Sequence, residues 1–327
     1  MNAIRALLVR RNALRYCALL FLFAASSLAQ AETLKVAISQ KGFWDSSFVE
    51  FGEIAGYFKE AGLEIEPFYT DGGAATLTTV LSGSADIGLS NGLLGVIGAY
   101  VKGAPVRVIS AQMTGAGELY WYARAESGIR SLKDAAGKTV AFSSPGSSSN
   151  LVALALVKKA GVDAKLVATG GVPATLTQVM TGQIDVGWAV VPFGLQNVTD
   201  GKTAIVARVS DVPELAGQTI RVNIAGPASL AQKRDAVVRF MQAYARAIDW
   251  AYRDPRAIDR FAENMKVPRA IAQRAVEEFY PKAGLQIGEI RGLEQTLKDA
   301  LEFKYIVSPK TPQEIAGLFD VVYRPAQ

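Results

Sequence analysis

Ala75-Thr76-Leu77-Thr78-Thr79-Val80-Leu81-Ser82-Gly83-Ser84-Ala85-Asp86-Ile87-Gly88 returns 99 residues later as Ala174-Thr175-Leu176-Thr177-Gln178-Val179-Met180-Thr181-Gly182-Gln183-Ile184-Asp185-Val186-Gly187, identical at eight of fourteen positions. A match of that length at one offset marks a duplicated unit. The same offset lays Lys59, Ala61 and Gly62 over Lys158, Ala160 and Gly161. A first copy longer by five residues then brings Val36-Ala37-Ile38-Ser39 over Val140-Ala141-Phe142-Ser143.

Working outward, each copy has the rhythm strand, helix, strand, helix, strand. In the first, the patterns predict strands over 34–39, 63–69 and 87–90, and helices over 47–61 and 74–81, stopped by Gly62 and Gly83. In the second they predict strands over 139–143, 164–168 and 185–190, and helices over 149–159 and 174–180. Strands alternating with helices imply parallel sheets with right-handed crossovers, so the fold class is α/β with two doubly wound lobes. Apolar, β-prone stretches at 106–112 and 119–124 lead from copy one into copy two, and 218–224 leads back, which makes a two-segment hinge. The rest is a helical C-terminal segment: helices over 230–253, 269–280, about 289–303 and 311–319, the last opened by the capping box Thr311-Pro312-Gln313-Glu314. The expected organisation is 1–31 leader, 32–122 first part of lobe one, 123–220 lobe two, and 221–327 return to lobe one with the tail packed on it.

The leader reading rests on Arg5, Arg10, Arg11 and Arg15 before an apolar stretch over 16–25 and a small-residue cleavage site at Ala29-Gln30-Ala31, so the exported chain is expected to start at Glu32. Those four arginines supply +4 of the formal charge of +5, leaving a remainder of +1, close to neutral, which removes the argument for nucleic acid. The chain has no His, and its one Cys, Cys17, lies in the leader. Ser-His-Asp and Cys-His catalysis and His- or Cys-ligated zinc are thereby excluded. No catalytic residue, metal ligand or cofactor is expected.

In open α/β sheets a ligand lies beyond the carboxyl ends of the strands. Those ends carry 40–46, 71–74 and 90–92 in lobe one, and 144–150, 170–173 and 188–193 in lobe two. With the lobes facing each other, both sets line one cleft, so the chain reads as a binding protein that closes on a small molecule. Ser143-Ser144-Pro145-Gly146-Ser147-Ser148-Ser149-Asn150 runs into a helix, where free N–H groups, the helix dipole and hydroxyls make an anion seat, or else a plain serine N-cap. Phe43, Trp44, Trp188 and Phe193 are candidates to grip an apolar or planar ligand body. The complete set of candidate ligand residues is Gln40, Phe43, Trp44, Asp71, Gly72, Ser90, Asn91, Ser144, Ser147, Ser148, Ser149, Gly171, Trp188 and Pro192. Asp86 and Asp185 occupy equivalent places in the repeat, which favours a duplicated structural role over a catalytic pair. Arg107, Arg124 and Arg221, near the hinge, are within reach of the cleft but are assigned to solvated or interlobe ion pairs, and Asp45 opposes an anion unless turned away.

The chain also resembles the nitrate, sulfonate and taurine type of periplasmic substrate-binding proteins of ABC transporters, related to thiamine-pyrimidine-precursor binding proteins. The resemblance spans nearly all of the chain after the leader. It is carried in order by Gly56-Tyr57-Phe58-Lys59-Glu60-Ala61-Gly62-Leu63, by the first copy of the repeat, by Leu132-Lys133-Asp134-Ala135-Ala136-Gly137-Lys138-Thr139-Val140-Ala141, by Gly146-Ser147-Ser148-Ser149, and by Gly182-Gln183-Ile184-Asp185. It implies a monomeric clamp of the type II periplasmic binding fold. It also implies an anionic group, sulfonate or carboxylate, at Ser147 to Ser149, periplasmic location, and transient contact with a membrane permease and its ATPase. A binding protein for a pyrimidine-like heterocycle, a related pyrimidine-synthesising enzyme, which the missing His and Cys disfavour, and a sensory binding module are the alternatives.

Overall fold

The computed structural model describes residues 31–285 and 287–325; the leader reading on Arg5, Arg10, Arg11, Arg15 and the apolar stretch lies outside the described residues. Lobe one is a five-stranded sheet of β1 (Glu32–Ser39), β2 (Leu63–Thr70), β3 (Ile87–Gly92), β4 (Arg107–Thr114) and β10 (Thr219–Ala225), in the order β2-β1-β3-β10-β4. Lobe two is a second sheet of β5 (Leu119–Arg124), β6 (Thr139–Phe142), β7 (Lys165–Ala168), β8 (Val186–Val190) and β9 (Thr203–Arg208), in the order β7-β6-β8-β5-β9.

The three strands expected from each repeat pair in parallel, β1 with β2 and β3, β6 with β7 and β8. The hinge stretches do not merely connect the lobes; they complete both sheets. β10 runs antiparallel to β3 and β4, and β5 antiparallel to β8 and β9, so both sheets are mixed rather than purely parallel. Chain direction requires this. A segment arriving from the other lobe enters at the cleft, where the parallel strands end, and therefore runs against them.

Helices of lobe one are α1 (Phe48–Ile54), α2 (Tyr57–Glu60), α3 (Gly73–Leu81) and α4 (Leu93–Val101). The single helix expected over 47–61 is thus split, because Gly56 adopts left-handed backbone at φ 78° between the halves. Lobe two carries α5 (Ser148–Ala160), α6 (Val172–Met180) and the short α7 (Leu195–Thr199). The tail holds α8 (Pro227–Ala251), α9 (Pro255–Met265), α10 (Arg269–Phe279) and α11 (Leu293–Glu302). α8 buries Val237, Phe240, Met241, Tyr244, Ile248 and Ala251, and Phe240 stacks on Phe58 of α2 at 5.1 Å. α9 went unread in the sequence; Asp254 caps it by accepting from the Arg256 N–H at 3.0 Å, and hydrogen bonds from the Arg256 guanidinium, with that N–H, hold the Asp254 carboxyl down at about 2.

The helix expected over 311–319 does not form. Its capping bonds do, Glu314 Oε2 accepting from the Thr311 N–H at 2.7 Å, but only turns and one 3₁₀ turn (Ala316–Leu318) follow. The chain extends instead beside β4, where the N–H groups of Asp320 and Val322 donate to the carbonyls of Val108 and Ile109. Edge pairing with the sheet outweighs a short exposed helix there.

Candidate ligand-binding cleft

The repeated aspartates show how the duplication builds the cleft. Asp86 Oδ2 accepts from the Lys35 N–H at the start of β1, and Asp185 Oδ2 accepts from the Thr139 N–H at the start of β6, each at 2.9 Å. Both carboxylates sit at the ends of the sheets away from the cleft, in a structural role. At the other end, Thr76 and Thr175 occupy matching buried positions. Thr76 Oγ1 lies 2.7 Å from Thr70 Oγ1, as Thr175 Oγ1 lies 2.7 Å from Thr169 Oγ1, and each bonds the carbonyl at its helix start, Gly72 or Gly171. These hydroxyls fix how α3 and α6 leave the strands.

Between the lobes lies a narrow void of about 20 Å³, lined from lobe one by Ser39, Gln40, Phe43, Asp45, Gly72, Gly73, Ser90 and Gly92, from lobe two by Ser143, Ser147, Ser148, Ser149 and Trp188, and by Arg221 of β10. Three helix N-termini converge on it: α3 at Gly72-Gly73, α4 at Gly92 and α5 at Ser147-Ser148. The first two have no side-chain cap. Their N–H groups and the three dipoles favour negative charge at this point. Gln40 and Ser90, at the ends of β1 and β3, hold left-handed backbone at φ 73° and 57°. That conformation is uncommon without glycine and here aims residues at the wall of the cleft.

Of the residues expected at the site, Gln40, Phe43, Gly72, Ser90, Ser147, Ser148, Ser149 and Trp188 line the void. Phe43 and Trp188 meet edge to face across the cleft, ring centres 6.5 Å apart at 87°. Asn91 is 1% exposed with neither side-chain atom partnered, and Ser144 Oγ is likewise unpartnered. Asp71, Gly171 and Pro192 stand outside the lining. Trp44 is a correction: it is fully buried in the core of lobe one, edge on to Phe48, Phe51, Tyr252 and Phe261, rather than in the cleft. One position along a tight loop reverses the side chain's direction, so Phe43 faces the ligand space and Trp44 faces inward.

The serines divide by role. Ser147 Oγ caps α5 through the Asn150 N–H at 3.1 Å, and Ser149 Oγ accepts from the Ser143 N–H at 2.9 Å. Ser148 Oγ accepts instead from Arg221 Nε at 3.1 Å, which ties lobe two to β10.

Of the three hinge arginines, Arg221 reaches the cleft and is also the one held in buried ion pairs. Arg107 lies over the Tyr100 ring and Arg124 pairs with Glu126, away from the cleft, whereas Arg221 is 4% exposed on its wall. Its Nη1 donates to Asp45 Oδ2 at 3.1 Å and its Nη2 to Glu118 Oε1. Burial raises the Glu118 carboxyl above its ordinary range, the Arg221 charge opposing and the Asp45 charge reinforcing that shift. Burial works against the Arg221 charge too, but Glu118 and Asp45 outweigh it and keep the guanidinium protonated. Asp45, Glu118 and Arg221 are far apart in the chain and no motif joins them. Only the hinge brings them together.

The lobes touch beside the void. The Gly95 N–H donates to the Gly146 carbonyl at 3.2 Å, and Tyr305 of the tail accepts from the Gly146 N–H at 2.6 Å while donating to Asn150. A Cβ at Gly92 would stand 2.1 Å from the Gly146 oxygen, so glycine permits this approach.

Two mixed α/β lobes on a two-segment hinge, with a polar void between them, define the class: this is the periplasmic binding protein fold. The chain belongs to the NMT1/THI5-like family, whose model matches residues 49–258. The alkanesulfonate-binding protein SsuA from Xanthomonas axonopodis pv. citri, solved with MOPS bound, is similar at TM-score 0.70 and 18% identity, over 85% of this chain and 94% of that one. The periplasmic aliphatic sulphonate binding protein SsuA from Escherichia coli is similar at 0.66 and 16%, over 90% and 93%. The periplasmic nitrate-binding protein NrtA from Synechocystis is similar at 0.68 and 14%, over 88% and 85%. No curated protein sequence matches the chain.

Proposed function

We propose that this protein is the periplasmic solute-binding component of an ABC-type uptake transporter. It takes a small organic solute with an anionic group, of the sulfonate or carboxylate class, and presents it to a permease and its ATPase as a monomer. The observation that carries this reading is the meeting of three helix N-termini from both lobes on one buried void. An anion there bridges the lobes and favours their contact. Neighbours of the same fold bear names of sulfonate and nitrate binding proteins. A heterocycle stacked between rings is less well served, because Phe43 and Trp188 meet edge to face and offer no parallel slot. Catalysis by the related pyrimidine-synthesising route lacks its residues in a chain without His.

Thermal-shift measurement with sulfonates, carboxylates and pyrimidines tests the assignment. A ligand at 100 times its Kd stabilises by about 2.7 kcal/mol, and small organic acids are expected to produce that rise while pyrimidines do not. Export is tested by intact mass: the exported chain is expected to start at Glu32, and a retained leader contradicts periplasmic placement.

A further inference from the structure

We propose that Asp45 is a specificity-determining residue that accepts a hydrogen bond from a protonated amine of the ligand, so that the solute is a small zwitterion rather than a simple anion. The inference rests on the solute-binding reading and adds the ligand's second group.

Asp45 is 1% exposed and lines the void. Its Oδ2 is saturated by Arg221 Nη1 at 3.1 Å and Ser90 Oγ at 3.2 Å, whereas its Oδ1 is buried with no partner in the protein. A carboxylate oxygen held so requires a donor, and its cost is large without one. The cation beside it, Arg221, does not supply the remaining bond. Arg221 is committed to Asp45 Oδ2, Glu118 and Ser148, and its Nη1 also lies 3.0 Å from Met113 Sδ. Whether or not Glu118 holds its proton, the cluster of Arg221, Asp45 and Glu118 carries no net positive charge. Arg221 is therefore not a free counter-ion for an anion, which must be met by the helix N-termini. A ligand ammonium at Asp45 Oδ1 corrects the charge balance and satisfies the orphan oxygen together.

The two subsites are close. Ser148, the first residue of α5, and Asp45 Oδ2 are bonded to the same guanidinium, so one guanidinium separates the N-terminus of α5 from the carboxylate. A ligand that spans them carries its amine and its acidic group within a few bonds of each other.

Titration calorimetry of the full exported chain with matched pairs tests the proposal: glycine against acetate, β-alanine against propionate, and 3-aminopropanesulfonate against propanesulfonate. In at least one pair the amine-bearing member is expected to bind roughly 10- to 100-fold tighter, the range of a hydrogen bond to a charged group. Asp45→Asn is expected to lose that preference. If the variant does not fold, the pairs measured on the parent decide alone. Equal or tighter binding of the amine-free members overturns the role of Asp45 and leaves solute binding standing. Failure of both members of every pair overturns both readings.

Discussion

Neighbouring side chains in one loop have opposite uses, and mutation separates them. Phe43 faces Trp188 across the cleft, while Trp44 fills the core of lobe one among four aromatic rings. Trp44→Ala is expected to cost about 3–5 kcal/mol of stability, the range for truncating a buried aromatic, measured as a lower denaturant midpoint. Glu118 makes a second residue-scale prediction. Its carboxyl is raised by burial, so the folded chain holds that proton more tightly than the unfolded one. The contribution is therefore present at low pH and is lost as pH rises from the ordinary glutamate range through the folded value. Glu118→Gln keeps an acceptor for Arg221 and removes the titration. The parent is expected to lose stability relative to this variant as pH rises across that window, and parallel stability profiles for the two chains contradict the assignment.

At the scale of elements, the contact between α4 and the loop before α5 depends on missing side chains. Gly92 has ordinary backbone at φ −64°, so alanine is compatible with lobe one itself. The three atoms nearest its Cβ all belong to lobe two, the Gly146 carbonyl oxygen at 2.1 Å and Ser147 Cα at 2.8 Å among them. Gly92→Ala is expected to leave lobe stability within about 1 kcal/mol of the parent while holding the lobes apart. Solution scattering reads this directly: the variant is expected to keep a larger radius of gyration than the parent at saturating concentration of any ligand that stabilises the parent. An equal radius shows that the lobes meet without this contact. The tail supports the same closure, since Tyr305 engages Gly146 and Asn150 and Glu302 pairs with Lys158 at 2.5 Å across the lobes.

Across the whole molecule, the duplication explains why one cleft exists rather than two. Each lobe ends its parallel strands at the hinge, and each receives an antiparallel strand from its partner there. The loops at the strand ends of both copies are thereby held opposite each other across the cleft, where a solute bound as proposed would touch both lobes. The buried cluster of Arg221, Asp45 and Glu118 sits where the two crossings meet the cleft.

The sequence by itself determined the parts that depend on local pattern. The repeat, the alternation of strands and helices and the ends of the parallel strands follow from periodicity and from Gly62, Gly83 and Gly161, and they placed Gln40, Phe43, Ser90 and Ser147 to Ser149 beside one cleft. Tertiary structure alone decided what depends on direction and on distance along the chain. Trp44 turned inward because an aromatic core was there to receive it. The segment over 311–319 folded into turns in place of a helix and led the chain onto the edge that β4 presented from Phe319 onward, and Gly56 broke a helix whose apolar spacing ran on through it. Arg221 became the centre of the site because the hinge strand β10 carries it to Asp45 and Glu118. No local pattern encodes that meeting, since it is made by the return of the chain from one lobe to the other.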